Sequence, residues 1–424
     1  MNPTSRSLRA IPVCALVLLA LPVIAEEPDS APASAPTPWL VPALTYDGGA
    51  VGNLQGGARR GSTYVGNLHL KLAAQGDPLR LPGTSAFVDM LTVHGGHPSR
   101  LVGDAQGTSN LEGPAGTQIE ELWVQHNFKG SSASLLLGIY DLNSEFYRLS
   151  AAGLFQNSSF GIGPEFAQSG VEGPSIFPRT SIGLRLAVKP TDNTVFRAAV
   201  LNGVPVVRPD GSRADFRGGD GLLMVGEFAW LARGGGAAGM PQPTTRDRIG
   251  RFSSLAPYDD KLAIGAWRYT GRYPDLSDLD AAGDPVLRRG SSGAYVVGER
   301  LLIGRDSGPG KRLAAFAQAG FADACTNRFG SYFGAGIVGT GWGPMKDADQ
   351  IGLSVAHARN GNHYLSNRAA SGVRRAETTF ELSYLTLVSK HLTVQPDLQY
   401  VMHPNTAPSL SNAVVLALRF EVAF

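Results

Sequence analysis

The C-terminal stretch 412–424 restricts the fold more than any other. It reads N-A-V-V-L-A-L-R-F-E-V-A-F. Val414, Leu416, Leu418, Phe420, Val422 and Phe424 fall on one side of a two-residue repeat, and Val415, Ala417, Arg419, Glu421 and Ala423 fall on the other. Such alternation describes an extended strand whose two faces meet different surroundings. An apolar face ending in an aromatic, backed by Arg and Glu, suits a strand with lipid outside and water inside. A strand of a soluble sandwich reads similarly over this length. In lipid an unpaired strand edge would leave backbone groups unsatisfied at several kcal/mol each, so the lipid reading requires this strand to close a barrel.

The same pattern recurs between breaks of Gly, Asp, Asn and Pro. In 64–72, Tyr64, Gly66, Leu68, Leu70 and Leu72 alternate with Val65, Asn67, His69 and Lys71. In 182–189, Ile182, Leu184, Leu186 and Val188 alternate with Gly183, Arg185, Ala187 and Lys189, and the segments 222–230, 378–388 and 392–402 repeat the arrangement. A soluble sandwich would bury these apolar faces and wet the charged ones. Two features favour a barrel. Apolar faces often end in Phe, Tyr or Trp, as aromatic girdles at membrane interfaces do. Short connections such as 189–193 alternate with long ones such as 143–179, as periplasmic turns do with extracellular loops. The expected fold is therefore all-β, a transmembrane antiparallel β-barrel with long extracellular loops and short periplasmic turns.

Arg6 and Arg9 precede an apolar run from Ile11 to Ile24 and the small residue Ala25, the pattern of a secretory signal peptide spanning 1–25. A Pro/Ala-rich segment, 26–45, leads into a barrel domain expected over 46–424. Without the signal the chain carries equal numbers of basic and acidic residues. That balance lacks the basic footprint of nucleic-acid binding. The 53 glycines and sparse lysines favour turn-rich β structure over helical bundles. Cys325 is then the lone thiol, which rules out an internal disulfide framework and reads as a loop residue.

Several stretches carry a family resemblance, in order along the chain. Gly52-Asn53-Leu54-Gln55-Gly56-Gly57 precedes Arg59-Arg60-Gly61 and Tyr64-Val65-Gly66-Asn67-Leu68. Val102-Gly103-Asp104-Ala105-Gln106-Gly107 and Glu121-Leu122-Trp123-Val124-Gln125 follow, then Ser144-Glu145-Phe146 and Leu154-Phe155-Gln156-Asn157-Ser158-Ser159-Phe160-Gly161. Lys189-Pro190-Thr191-Asp192-Asn193, the stretch 262–271, Gln395-Pro396-Asp397 with His403-Pro404, and the closing strand complete the series. Through these residues the chain resembles the carbohydrate-selective porins of Gram-negative outer membranes, the OprB-type glucose porins, over most of 46–424. The resemblance implies sixteen strands, a pore narrowed by inward-folded loops, and facilitated diffusion of glucose and related sugars into the periplasm. The Gly- and Arg-rich stretch 232–254 departs from the strand pattern.

A sugar pore needs hydrogen-bonding groups that replace water around hydroxyls, aromatic faces for the apolar side of the ring, and binding weak enough to release. The segment 143–161, with Glu145, Arg148, Asn157 and Ser158, is the candidate constriction, the alternative being an exposed outer loop. Arg59 and Arg60 are candidates to project into the lumen. Arg185 and Arg197 face inward by alternation, with wall hydration as the plain alternative. Trp123 and Trp267 are aromatic candidates for the pore, although a lipid-side girdle is the commoner position for strand tryptophans. No catalytic residue, metal ligand or cofactor is expected. His94 and His97 lie three apart across a Gly-Gly turn without a third ligand nearby. Ser144, Glu145 and His126 follow no nucleophile motif. Expected partners are monosaccharide solutes, outer-membrane lipid and lipopolysaccharide, and the barrel-assembly machinery through the strand ending at Phe424, with the protein a monomer or trimer. A general or anion-preferring diffusion porin is the main alternative function, ahead of a barrel enzyme or a soluble polysaccharide-binding protein.

Overall fold

The computed structural model describes residues 39–128, 132–205, 221–232, 260–304, 310–343 and 348–424. The signal-peptide expectation over 1–25 and the Gly/Arg-rich stretch 233–254 lie outside the described residues.

Sixteen strands form one closed sheet in which each pairs antiparallel with its neighbours in sequence. They are β1 (Leu40–Gly57), β2 (Gly61–Gln75), β3 (Thr84–Gly95), β4 (Gly116–Asn127), β5 (Ala133–Tyr140), β6 (Ser181–Thr191), β7 (Thr194–Asn202) and β8 (Leu222–Leu231), followed by β9 (Lys261–Leu279), β10 (Pro285–Ile303), β11 (Arg312–Ala322), β12 (Phe329–Thr340), β13 (Gln350–Asn360), β14 (Ala376–Ser389), β15 (Leu392–Met402) and β16 (Ser411–Ala423). β1 begins at Leu40, within the segment that composition assigns to a Pro/Ala-rich tail. β16 pairs with β1, setting Tyr46 opposite Val422 and Ala50 opposite Leu418. Backbone hydrogen bonds between Leu44 and Phe424 continue this seam to the last residue. The terminal strand therefore has both edges paired, as the lipid reading of its sequence requires.

Alternation sorts each strand between two environments. On β16, Leu416 and Leu418 are about half exposed on the outer face, while Val415 and Ala417 are buried within. On β6, Leu184 and Leu186 face outward and Arg185 is wholly buried inside. A soluble sandwich would reverse these environments; a lipid-facing belt accounts for the outward leucines. Phe196, Phe228, Trp230, Phe333, Phe380 and Tyr400 also stand on the outer face.

The rim holding both barrel ends has mostly short connections, including 192–193 and 390–391, and is the periplasmic one by the usual asymmetry. The opposite rim carries 96–115, 141–180 and 361–375. The expected asymmetry is incomplete: 280–284 and 323–328 are also short on the long-loop rim, and two departures are the largest. The link from β1 to β2 on the long-loop rim is only 58–60, and the link from β8 to β9 on the short-turn rim runs 232–260. Ala232 N donates to Asp260 O at 3.0 Å, bringing the ends of that longer link together.

Candidate pore constriction

A two-residue turn would suffice to join β5 to β6. The chain uses 141–180 instead, and fills that segment with apolar residues. Phe146, Tyr147, Leu149, Leu154, Phe155, Phe160, Ile162 and Phe166 are all buried. Their partners are inward aromatics of the wall. Tyr147 lies 4.4 Å from Tyr295, Phe155 5.7 Å from Phe316, and Phe166 stacks on Trp267 at 4.8 Å and 6°. The segment thus folds into the barrel and buries its aromatic side against the lumen wall. Close approach needs a wall without side chains at points of contact. A Cβ on Gly352 of β13 would lie 2.7 Å from both Leu154 and Phe155.

Folding a loop inward removes its backbone from water, so each buried N–H and C=O needs a partner. Wall side chains supply them. Glu227 on β8 accepts from Tyr147 N at 2.9 Å, and Glu299 on β10 accepts from Ala151 N at 2.7 Å. Glu381 on β14 accepts from Gln156 N at 2.5 Å and Asn157 N at 3.1 Å. Lys261 Nζ donates to Arg148 O, Gln318 to Phe160 O, and Gln395 to Leu154 O. Glu377 treats the loop 96–115 likewise, accepting from Ala105 N and Gln106 N. Side chains from six strands therefore hold the backbone of the segment between Tyr147 and Phe160.

The sequence-selected residues occupy different positions in this arrangement. Glu145 roots the segment: Arg185 Nε donates to it at 2.8 Å, and the Tyr140 hydroxyl also donates to it. Arg185 further binds Ser134 Oγ and Gln125 Oε1, both at 2.6 Å. Arg197 pairs with Glu227 at 3.3 Å. Both arginines face inward as alternation requires, but they are buried and ion-paired, so wall hydration is not their role. Asn157 is buried and caps the turn after it, its Oδ1 accepting from Ser159 N. Arg148 is exposed. Arg59 and Arg60 are exposed in the turn 58–60 at the long-loop rim, away from the strand wall. Trp123 and Trp267 are inward and almost fully buried, which corrects the lipid-side girdle expectation. Trp123 packs on Phe87 and Trp267 under Phe166, so the folded-in segment covers Trp267.

Enzyme-like combinations separate. Ser144 Oγ donates to Asp141 O, Glu145 is held by Arg185, and His126 pairs with Thr84 on the exposed side of its strand. His94 meets Tyr46 on the outer face, whereas His97 approaches Glu112 in the loop 96–115.

Two features escaped selection from sequence. The first is a charged strip on β16, β1, β2 and β3. His69 and Lys71 approach Asp89 at 3.0 and 4.0 Å, Asp47 sits opposite Glu421 across the closing seam, and Arg419 donates to Asn110. Alternation marks these residues as polar-faced, but nothing in the sequence ranks them. The second is a pocket of about 440 Å³ between 96–115 and 141–180, lined by Ser109, Glu112, Ser158, Phe177, Pro178 and Arg179 among others. Its size lies within the roughly 300–1,000 Å³ of small-molecule sites. It combines an aromatic face with hydrogen-bonding groups, and Ser158 is the one selected residue in it.

Glu165, on the helical turn Pro164–Ala167 of the inward segment, adds a titratable lock. Burial pushes its carboxyl up to about 7 from the ordinary 4.5. Tyr147 donates to its Oε1 at 3.1 Å, and Tyr332 is a further facing neighbour. A raised carboxyl value means that docking takes up a proton. Docking is therefore fully favoured at low pH and loses this contribution as pH rises from 4.5 through about 7. Open-channel current noise is expected to be greater at about pH 8 than at about pH 5, with Glu165→Gln flattening the difference. An unaltered pH response in that variant would assign the effect to another group.

Residues 59–424 match the family described as carbohydrate-selective porin, OprB family. Porin B of Pseudomonas aeruginosa is 25% identical over 233 residues, 51% of this chain and 48% of that protein, so the chain spans about half the length of this curated relative. Among solved structures, the high-pH structure of Pseudomonas putida OprB is similar with a TM-score of 0.76 at 20% identity, covering 91% of this chain and 94% of the other. The low-pH structure of the same protein gives 0.52 at 16% identity, covering 91% and 92%. At these identities the structural likeness is one of fold. Because its match spans residues 59–424, from the β1–β2 turn to the last residue of a closed barrel, the chain belongs to the OprB family of carbohydrate-selective porins of the outer membrane.

Proposed function

We propose that the protein is an outer-membrane channel for facilitated diffusion of carbohydrates, glucose and related monosaccharides, into the periplasm. The observation that carries this reading is the segment 141–180, folded into the barrel and held there by wall carboxyl groups. The pocket beside it offers Phe177 as a platform for the apolar side of a sugar ring, with Ser109, Glu112, Ser158 and Arg179 for hydroxyls. Such a site exchanges water for hydrogen bonds without binding tightly enough to stall transport. Arg59 and Arg60, at the same rim, are entry charges rather than constriction residues. The outward apolar rows are the surface for lipid and lipopolysaccharide, and β16 ending at Phe424 is the segment offered to the barrel-assembly machinery.

Single-channel conductance of the purified protein in a planar bilayer tests the reading, with glucose titrated against sucrose and an amino acid. Saturable block by glucose alone is expected, weakened by Phe177→Ala. Open current without sugar-specific block would identify a general or anion-preferring diffusion porin instead.

A further inference from the structure

Three side chains far apart in sequence meet at the long-loop rim. Asp275 lies near the end of β9, Cys325 in the connection 323–328, and His363 in the helical turn Asn362–Asn367. Their donor atoms lie within 4.8 Å of one another. Cys325 Sγ is 3.6 Å from His363 Nε2, and His363 Nδ1 is 2.8 Å from Asp275 Oδ1.

That chain of contacts has the form of a carboxylate–histidine–metal arrangement. A carboxylate accepting from one ring nitrogen fixes the tautomer and leaves the other nitrogen's lone pair free to bind an ion. Asp275 is itself rigidly held, since its Oδ1 accepts from Ser277 N and Asp278 N at 2.9 Å each and its Oδ2 from Arg288 Nε at 2.8 Å. Leu276 N donates to Cys325 O at 2.8 Å, which fixes the cysteine loop against the same strand. A sulfur at about 2.3 Å and an imidazole nitrogen at about 2.0–2.1 Å around a tetrahedral ion stand about 3.6 Å apart. Cys325 Sγ and His363 Nε2 already have that spacing.

We infer that Cys325 and His363, oriented by Asp275, form a binding site for a thiophilic transition-metal ion of the zinc type at the outer mouth of the channel. The ion binds Cys325 Sγ and His363 Nε2, and solvent completes its coordination. The thiol proton passes to bulk water, and the imidazole keeps its proton on Nδ1, donated to Asp275. Asp323 and Asp275 act on the Cys325 sulfur against Arg288, which is already paired with Asp275 and Asp278, while Arg328 and Arg368 of the same connections stack on Tyr364. The local field therefore favours a cation. Binding there ties the two connections 323–328 and 361–375 to the end of β9 at the entrance.

Titration of the reduced, detergent-solubilised full-length protein with Co(II) tests the site. The expected result is a thiolate-to-cobalt charge-transfer band that saturates at one equivalent, is displaced by Zn(II), and is absent in Cys325→Ser. Asp275→Asn is expected to weaken binding about 10–100-fold, as loss of a carboxylate partner to a metal-bound histidine does. Each variant is checked for folded-barrel gel mobility. Alkylation of Cys325 in the unaltered protein provides a readout without substitution, and Zn(II) is expected to slow it. Absence of the band, equal Co(II) affinity in His363→Ala, or alkylation indifferent to Zn(II) would each overturn the assignment.

Discussion

A channel carrying Glu299→Ala together with Glu381→Ala is expected to conduct several-fold more current than the unaltered protein and to lose discrimination between glucose and sucrose. The two carboxyl groups accept from the backbone N–H groups of Ala151, Gln156 and Asn157. All three residues are buried. Truncating the acceptors leaves three donors without partners away from water, at about 1–3 kcal/mol each. The apolar contacts of Phe155 and Phe160 with Phe316 remain and favour the docked position. The segment can recover its lost hydrogen bonds only by moving toward solvent, which widens the lumen. Glutamine at both positions keeps a neutral acceptor and should have a smaller effect. Unchanged conductance in the alanine variant, with folded gel mobility intact, would mean that aromatic packing alone holds the segment.

The faces of the strands were legible in sequence because alternation is a local property. In β6 and β16 it separates outward leucines from Arg185 and Arg419 without reference to any other part of the chain. The same rule places the two tryptophans on the inner face. Trp123 shares its side of β4 with Gln125, and Trp267 stands opposite Leu262 and Ile264, whose outward faces are half exposed. The usual interfacial habit of tryptophan was the weaker guide, because an inward wall that must receive a folded loop also needs aromatic surface.

The constriction was half legible. Length and composition single out 143–161, and Glu145 and Asn157 do lie in the folded-in part. Its wall partners, Glu227, Glu299 and Glu381, did not stand out, because an inward glutamate on a strand reads as a hydrated wall residue. Only contact with backbone that is distant in sequence turns it into an anchor. Asp275, Cys325 and His363 escaped for the same reason: their spacing in sequence matches no ligand motif, and only the folding of 323–328 and 361–375 against the end of β9 brings them together.

The anchor at the root of the segment should be the most costly single position to break. Arg185 is wholly buried and bonds Glu145, Ser134 and Gln125, while Glu145 fixes the start of the inward segment. Arg185→Met keeps much of the side-chain volume but strands the Glu145 carboxyl. Breaking one partner of a buried pair costs about 3–5 kcal/mol, whereas replacing both by apolar groups of similar size is often neutral or stabilising. Arg185→Met alone should therefore lower the temperature at which folded gel mobility is lost, and loosen the segment enough to raise conductance. Arg185→Met with Glu145→Leu should recover most of the thermal loss, since no buried charge is left uncompensated. The double variant still lacks the tie between β6 and the segment's first turn, so conductance should stay raised while stability returns. If both properties recover together, packing rather than the ion pair positions the segment; if neither does, the hydrogen bonds to Ser134 and Gln125 carry the anchor.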